Sequence, residues 1–488
     1  MRNSRRALSL AIALCLSAGL APADEKSVNP KIQEILDQIS EARIKATLEK
    51  LEAFGTRNTM SNQDDPVRGI GAARTWILNE FKSYSPKLQV RFEKFRVKKQ
   101  GQRIFKDVDL WNVIAVLPGA KMPETQIFVS GHYDSLNVGN RPAGAPAGPG
   151  TDPPAGGGPN ATANLTLADF EKNADLPAPG VCDDGSGTAA VMELARVMSA
   201  YEFDKTLVFV AFAGEEQGLI GSSLHSAKSK KENQVIEAVL NNDIIGTEVA
   251  GNGRTGNSSV NIYSDETMDS ISQQLSRYVR EMGERYMPSM KVNTIFMGDR
   301  LGRGGDHTPF QWEGFAAVRF STPNEIYANQ HHATDTLANM SVPYTTRVAK
   351  VNAAVAASLA LAPKPPIVMP EPRPATASAT ATAAPAGPPG RRIGPMIARG
   401  GGYDAVLRWR VAGSDADIKG YTILIRPTMS PYWEQEIYVG KVNTYTLKDV
   451  SIDDLKFGIR AIGTNGAESL VTPYAYPPRQ KTEILTVE

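Results

Sequence analysis

TLVFVAFAGEEQG, residues 206–218, decides the fold, because an apolar run of strand length ends there in two adjacent acidic side chains. TQIFVSGHYDS (125–135) is built in the same way, with His132 and Asp134 after the apolar run. Helical patterns, such as 186–202, alternate with runs of this kind. The sequence therefore predicts βαβ units and a mostly parallel, mixed α/β sheet flanked by helices. Open sheets of this class bind their ligands beyond the carboxyl ends of the strands, where these polar side chains lie.

Metal-binding side chains occur in five short segments that are far apart in the chain. Mixed sets of histidine and carboxylate suit Zn²⁺, and carboxylates able to bridge suit two metal ions that act on one water. The segments are GHYDS (131–135), PGVCDDGSG (179–187), FAGEEQG (212–218), NND (241–243) and QHHATDT (330–336), which offer His132, Asp134, Asp183, Glu215, Glu216, Asp243 and His331.

The first two segments predict a ligand with its support and a carboxylate on a turn. Strand alternation sends His132 and Asp134 to one side, so the Asp134 carboxylate is expected to accept the second N–H of the imidazole. Glycines after Asp183 allow a sharp turn that brings a carboxylate under the metals. Capping of the helix that begins at residue 186 is the alternative role for either acid, and we favour it for Asp184.

The acidic pair Glu215 and Glu216 divides into two roles. Two carboxylates at the end of a buried strand are costly to desolvate unless a dication compensates them. One acid can bind metal while the other takes a proton from water; solvated loop acids are the alternative. Asp243, between apolar residues, is expected to be paired or metal-bound, and no basic residue lies near it in sequence.

The chain contains five histidines, and they are not equivalent. His331 and His332 compete for the last ligand position, with His331 favoured. His307 is expected to be structural or substrate-facing, and His225 is expected at the surface.

The ordered set of motifs resembles the co-catalytic di-zinc aminopeptidases of the secreted bacterial leucyl aminopeptidase and aminopeptidase S type, in peptidase family twenty-eight. That family also holds glutaminyl cyclases and glutamate carboxypeptidases. The resemblance covers roughly residues 30–362. It rests on the H-x-D at His132, the D-x-G-S-G at 183–187, the Glu-Glu pair, Asp243 and the H-x-x-x-D-T at 331–336.

The resemblance implies an aminopeptidase with two zinc ions that hold a bridging hydroxide, and peptide or protein substrates with a free N-terminus. It gives Glu215 the role of general base, and it implies a ligand set of His132 and Asp243 on one ion, Glu216 and His331 on the other, and Asp183 across both. Gln330 stands where a tyrosine is usual in the family. A mono-zinc glutaminyl cyclase, a carboxypeptidase-type relative, or an inert exported binding module remain the alternatives.

The N-terminus predicts export. Basic residues precede an apolar stretch, Ala7–Leu20, and an A-x-A site ends at Ala23, so residues 1–23 are interpreted as a signal peptide and the mature protein as periplasmic or extracellular. Only Cys182 remains after cleavage, so no intramolecular disulfide can form. A net charge of +1 gives no reason to propose nucleic-acid binding, and no later segment is apolar enough to span a membrane.

Composition divides the mature chain into two units. Residues 24–362 form the predicted catalytic domain, with a Pro/Gly/Ala-rich stretch (139–180) interpreted as a surface insertion or a spacer. A Pro/Ala-rich linker (363–390) leads to short alternating strands in 391–488. That tail resembles a fibronectin type III β-sandwich, with Trp409 and Tyr421 pointing inward and a partner that is unknown. We expect the catalytic unit to fold without it.

Overall fold

The computed structural model of the protein describes residues 28–139, 165–369, 397–399 and 403–474. The predicted signal peptide, residues 140–164 of the predicted insertion and most of the predicted linker lie outside these ranges. Within them, no helix combines the length and the apolar character needed to cross a membrane.

The first unit is an eight-stranded mixed sheet, as the sequence predicts. Neighbouring strands pair in the order β1-β2-β4-β3-β5-β8-β6-β7. The central pairs β4-β3, β3-β5 and β5-β8 are parallel, and β1 and β2 add antiparallel strands at the beginning. The strands are β1 (Gln89–Val97), β2 (Val108–Leu117), β3 (Met122–His132), β4 (Lys205–Phe212), β5 (Val235–Asn242), β6 (Ser259–Tyr263), β7 (Lys291–Ile295) and β8 (Ala317–Ser321).

Helices cover both faces of this sheet, which explains why its central strands are apolar throughout rather than alternating. In β4, Phe209 packs into the larger core, whereas Val208 and Val210 pack into a second core on the opposite face. The helices are α1 (Pro30–Asp37), α2 (Glu41–Ala53), α3 (Gly69–Tyr84), α4 (Leu167–Asn173), α5 (Ser186–Met198), α6 (Ile220–Lys231), α7 (Ile271–Tyr286), α8 (His307–Trp312) and α9 (Val342–Leu361).

The C-terminal unit consists of two small antiparallel sheets around a separate core. One sheet holds β9, β10, β11 and β14, and the other holds β12, β13, β15 and β16. Trp409 and Tyr421 are buried and meet edge to face at 5.6 Å, as expected of inward-pointing residues. The strands are β9 (Ile367–Val368), β10 (Ala398–Arg399), β11 (Ala405–Arg410), β12 (Ile418–Pro427), β13 (Gln435–Gly440), β14 (Thr444–Leu447), β15 (Leu455–Gly463) and β16 (Thr472–Pro473).

The two units are joined more closely than the sequence suggests. The buried Arg460 of β15 contacts both carboxylate oxygens of Glu281 on α7, at 2.9 and 2.8 Å. Arg426 donates to Asp269 at 2.6 Å, and Leu470 packs into the core of the first unit. These contacts cross between the two units, and independent folding of the catalytic unit stays a prediction.

The described parts of the predicted insertion and linker make main-chain contacts with the rest of the chain. Ile367 and Val368, in the predicted linker, pair with β11. At the end of the predicted insertion, the Ala178 N–H donates to the Gly55 carbonyl at 2.8 Å. Composition did not reveal either contact, because each partner is distant in sequence.

Candidate metal centre

The sheet brings three of the predicted segments to one edge. His132 is the last residue of β3, Glu215 and Glu216 follow β4, and Asp243 follows β5. These three strands are adjacent and parallel, so their carboxyl ends meet. The loop before α5 supplies Asp183, and the segment between β8 and α9 supplies His331 in the same place.

Asp183 is shared by two groups of potential ligands. Its Oδ1 lies 3.3 Å from His132 Nε2, and His132 Nε2 lies 3.9 Å from Asp243 Oδ1. Its Oδ2 lies 3.3 Å from His331 Nε2, which lies 3.1 Å from Glu216 Oε2. Each group offers three donor atoms within 4.8 Å of one another. This is the pairing of residues that the resemblance implies.

Buried polar atoms without hydrogen-bond partners indicate that the site can bind a cation. His132 Nε2 and Glu216 Oε1 are buried and have no hydrogen-bond partner among the described residues. Such atoms are costly to bury unless something else compensates them. One histidine and two carboxylates in each group form a donor set that suits Zn²⁺.

The carboxylates of the site raise the pKa values of its two histidines. Burial opposes the charge on His331, but Glu216 and Asp183 outweigh it and raise its pKa to about 10. Burial likewise opposes the charge on His132, and the carboxylates around it, Glu215 foremost, raise its pKa well above the ordinary value. In the absence of a compensating cation, the surrounding carboxylates therefore favour the protonated form of both imidazoles.

Asp134 is fully buried and supports the site differently from the sequence expectation. His132 Nδ1 forms its hydrogen bond with the main-chain carbonyl of Asp134, at 3.1 Å, while the nearest carboxylate oxygen is 3.6 Å away. The carboxylate instead accepts the main-chain N–H groups of Glu215 and Glu216, both at 3.2 Å. The Asp134 carboxylate thus fixes the turn after β4. It can reach these N–H groups because β3 and β4 are neighbouring parallel strands and end side by side.

Glu215 and Glu216 point in different directions. The Glu216 carboxylate faces His331, whereas Glu215 Oε2 lies 3.9 Å from His132 Nε2, and the Glu215 side chain is 12% exposed. Glu215 lines a cleft of about 220 Å³. Burial, with Asp243 and Glu216 nearby, raises its pKa well above the ordinary carboxylic value. A carboxylate in this setting is suited to accept a proton.

Two residues hold the Asp183 loop and received no role from the sequence, although Asp335 belongs to the H-x-x-x-D-T motif. Arg57 is fully buried and donates to the carbonyls of Tyr133 and Gly180, at 2.7 and 2.8 Å. Asp335 accepts the N–H groups of Cys182 and Asp183, at 2.9 and 3.0 Å. Arg57 belongs to FGTRNT (54–59), and a charged residue there between two apolar helices is the only sequence signal for it.

Asp184 supports the fold, as the helix-cap interpretation suggests. Its Oδ1 accepts the Gly187 N–H in the first turn of α5 at 2.8 Å, and its Oδ2 accepts the His132 N–H at 3.1 Å.

Asp243 has a basic neighbour that its sequence surroundings did not reveal. Arg319 of β8 places Nη2 at 3.1 Å from Asp243 Oδ1.

The remaining histidines lie outside the two ligand groups. His307 is buried, and its Nε2 contacts the Gly298 carbonyl at 2.6 Å, which agrees with a structural role. The expectation that His225 lies at the surface is wrong. His225 is buried in the second core, because the face of α6 that carries it packs against the sheet, and its Nδ1 lies 2.7 Å from Glu93 Oε2.

Comparison with known proteins gives consistent matches. Residues 112–356, about half of the chain, match the model of peptidase family M28. A "probable zinc metalloprotease" of Pyricularia oryzae is 34% identical over 94% of this chain and 85% of its own length. One of Pyrenophora tritici-repentis is 32% identical over 91% and 98%. The solved LapA aminopeptidase of Legionella pneumophila aligns over 68% of this chain and 75% of its own, with 19% identity and a TM-score of 0.48.

The matched residues 112–356 contain both ligand groups and the acidic pair. A family match over half of the chain and a relative above 30% identity that spans nearly all of it lead to one conclusion. This chain belongs to peptidase family M28.

Proposed function

We propose that the protein is an exported, zinc-dependent aminopeptidase that hydrolyses N-terminal peptide bonds. The observation that carries this proposal is the pair of ligand groups that share Asp183, with Glu215 beside them in an open cleft. Export rests on the sequence of residues 1–23. The names of the curated relatives support zinc as the metal.

Two zinc ions per chain fit the arrangement. One ion would be held by His132 and Asp243, the other by Glu216 and His331, with Asp183 in contact with both. When bound, the ions supply Lewis-acid polarisation of the substrate carbonyl and a lowered pKa for an attacking water.

Glu215 is the proposed general base. Its main-chain N–H is held by Asp134, its side chain lines the cleft, and its Oε2 lies 3.9 Å from His132 Nε2, beyond hydrogen-bond distance. It accepts a proton from the attacking water and delivers this proton to the nitrogen of the leaving amine, so it ends the cycle ionised again. Proton transfer of this kind typically contributes ~10²–10⁴-fold to the rate.

Glu215→Gln and Glu216→Gln test these roles by comparison. Glu215→Gln should keep its metal and lose ~10²–10⁴-fold in turnover, because an amide cannot accept the proton. Glu216→Gln should lose zinc as well as activity, since its carboxylate lies 3.1 Å from His331. Glu232→Gln is the matched control and should behave as wild type, because Glu232 is exposed and directly follows the last residue of α6.

Elemental analysis and turnover on unblocked and N-blocked peptides are measured on each variant. If Glu215→Gln loses metal and Glu216→Gln keeps it, the two roles are exchanged. A fully active Glu215→Gln eliminates the proposed base. One tightly held ion together with cyclisation of N-terminal glutamine supports the mono-zinc cyclase, and cleavage from the C-terminus supports the carboxypeptidase-type alternative.

A further inference from the structure

The cleft beside the two ligand groups has an unusual lining of charged side chains. Its acidic members are Asp183, Glu215, Glu216 and Asp243, and each already has a role in the proposed metal centre. Apart from His331, a proposed ligand, the other charged side chains that line it among the described residues are Arg103, Arg300 and Arg303. The charged groups of the lining that remain for the substrate are therefore arginines.

Arg303 is fixed directly beside a proposed ligand. Its two terminal nitrogens, Nη1 and Nη2, donate to Gln330 Oε1 at 3.2 and 3.3 Å, and Gln330 immediately precedes His331. Gln330 Nε2 in turn donates to Glu325 Oε2 at 2.8 Å. The amide that replaces the usual tyrosine thus turns its oxygen toward an arginine and holds that guanidinium in the cleft.

Two carboxylates orient Arg300 and Arg303 in the cleft. Arg300 and Arg303 share Glu325, at 2.6 and 3.6 Å. Asp299 is shared by Arg300 and Arg319, at 3.0 and 2.6 Å. Each of these carboxylates thus serves two guanidinium groups, and Arg303 has only the longer, 3.6 Å contact with a carboxylate among those that the structure gives.

Arg103 brings a further positive charge from another part of the chain. It lies between β1 and β2, and its Nη1 donates to the main-chain carbonyl of Glu216 at 2.7 Å. That contact holds the arginine against the turn that carries the proposed base and ligand. Arginine is well suited to bind carboxylates because its planar donors match their geometry.

We propose that Arg103, Arg300 and Arg303 form a subsite for a carboxylate of the substrate, next to the bond that is cleaved. The ligand class is a peptide with an acidic side chain or a free C-terminal carboxylate at that position. This inference rests on the proposed function, since it names the substrate class of the same site.

Two pairs of peptides distinguish the sources of the carboxylate. Glu-Leu-amide against Gln-Leu-amide tests the side chain, and Leu-Leu against Leu-Leu-amide tests the free terminus. The zinc-loaded enzyme should prefer the anionic member of at least one pair in kcat/KM. A charge-assisted hydrogen bond is typically strong enough for this preference to be about 10- to 100-fold.

Arg303→Gln should reduce that preference by about 10- to 100-fold, and Arg303→Lys should retain part of it. Arg103→Gln provides a second, independent variant in case Arg303→Gln fails to fold. Arg91→Gln is the matched control, because Arg91 is exposed on the edge strand β1 and is not one of the residues that line the cleft. Its preference should equal that of the wild type.

Equal hydrolysis of both members of each pair by the wild type overturns the subsite and leaves the proposed function standing. An Arg303→Gln variant that slows both members of a pair equally also overturns it, because Arg303 then acts on the reaction itself. If none of the four peptides is hydrolysed at its N-terminal peptide bond, the proposed function fails and the subsite with it.

Discussion

Asp134→Asn is the sharpest test of how the metal centre is supported. The wild-type carboxylate presents Oδ1 to the Glu215 N–H and Oδ2 to the Glu216 N–H, each at 3.2 Å. Thr59 Oγ1 also donates to Oδ2, at 3.3 Å. Asparagine has nearly the same shape but only one oxygen, so one of the two main-chain N–H groups must face an NH₂ group.

The expected cost follows from that mismatch. A buried donor left without an acceptor costs about 1–3 kcal/mol in free energy of unfolding. The turn that carries Glu215 and Glu216 loses one of its two anchors, and the negative charge 3.6 Å from His132 Nδ1 disappears. Loss of such support to a ligand typically lowers metal affinity about 10- to 100-fold.

Chelator competition for zinc, thermal unfolding of the metal-free protein and turnover should be measured together. Asp107→Asn is the control, since Asp107 is an exposed carboxylate that pairs with Lys98 and the Lys99 N–H at the surface, and it should leave all three unchanged. If Asp134→Asn binds zinc and turns over within a factor of two of wild type, the carboxylate does not hold the acidic turn and the reasoning is refuted.

Two further predictions concern protonation and the C-terminal unit. Although burial opposes the charge, Glu216 and Asp183 raise the pKa of His331 to about 10 in the absence of metal, so its imidazole is protonated at pH 7.5. Zinc loading should then release this proton into a weakly buffered solution, and loading without proton release would contradict the prediction. Arg460→Leu should weaken the contact between the two units by about 1–3 kcal/mol, because the charge-assisted hydrogen bonds from Arg460 to Glu281 are lost while Glu281 keeps Arg285 at 3.0 Å. Calorimetry should show the C-terminal unit unfolding earlier, with the exposed Arg410→Leu as control; an unchanged unfolding profile would count against a stabilising contact.

Much of the first unit could be predicted because hydrophobic patterns are local. The apolar run 206–213 corresponds to β4 at Lys205–Phe212, and the apolar part of 125–135 lies within β3 at Met122–His132. The helical pattern 186–202 corresponds to α5, which begins at Ser186 but ends earlier, at Met198. β7 was not predicted, because five residues at the edge of a sheet carry little pattern.

The candidate ligands could be named from the order of their motifs, since a carboxylate directly after a buried strand is costly to desolvate unless a cation compensates its charge. His132, Asp183 and Asp243 therefore meet where the parallel strands end, as the sequence led us to expect. Their roles as ligands, like that of Glu215 as base, remain predictions for the metal analysis and the variants above.

The sequence by itself determined the class of fold, the family and the candidate ligands, because each depends on residue type and on spacing along the chain. Only the tertiary structure decided which charges meet. Arg57 reaches the Gly180 carbonyl 123 positions away, and Arg319 lies beside Asp243 across 76 positions. Arg303 is held by Gln330, and Arg460 by Glu281 of the other unit. The sequence pattern around a long charged side chain does not identify its partner, since the energy of a hydrogen bond or ion pair depends on distance in space and not on separation in sequence.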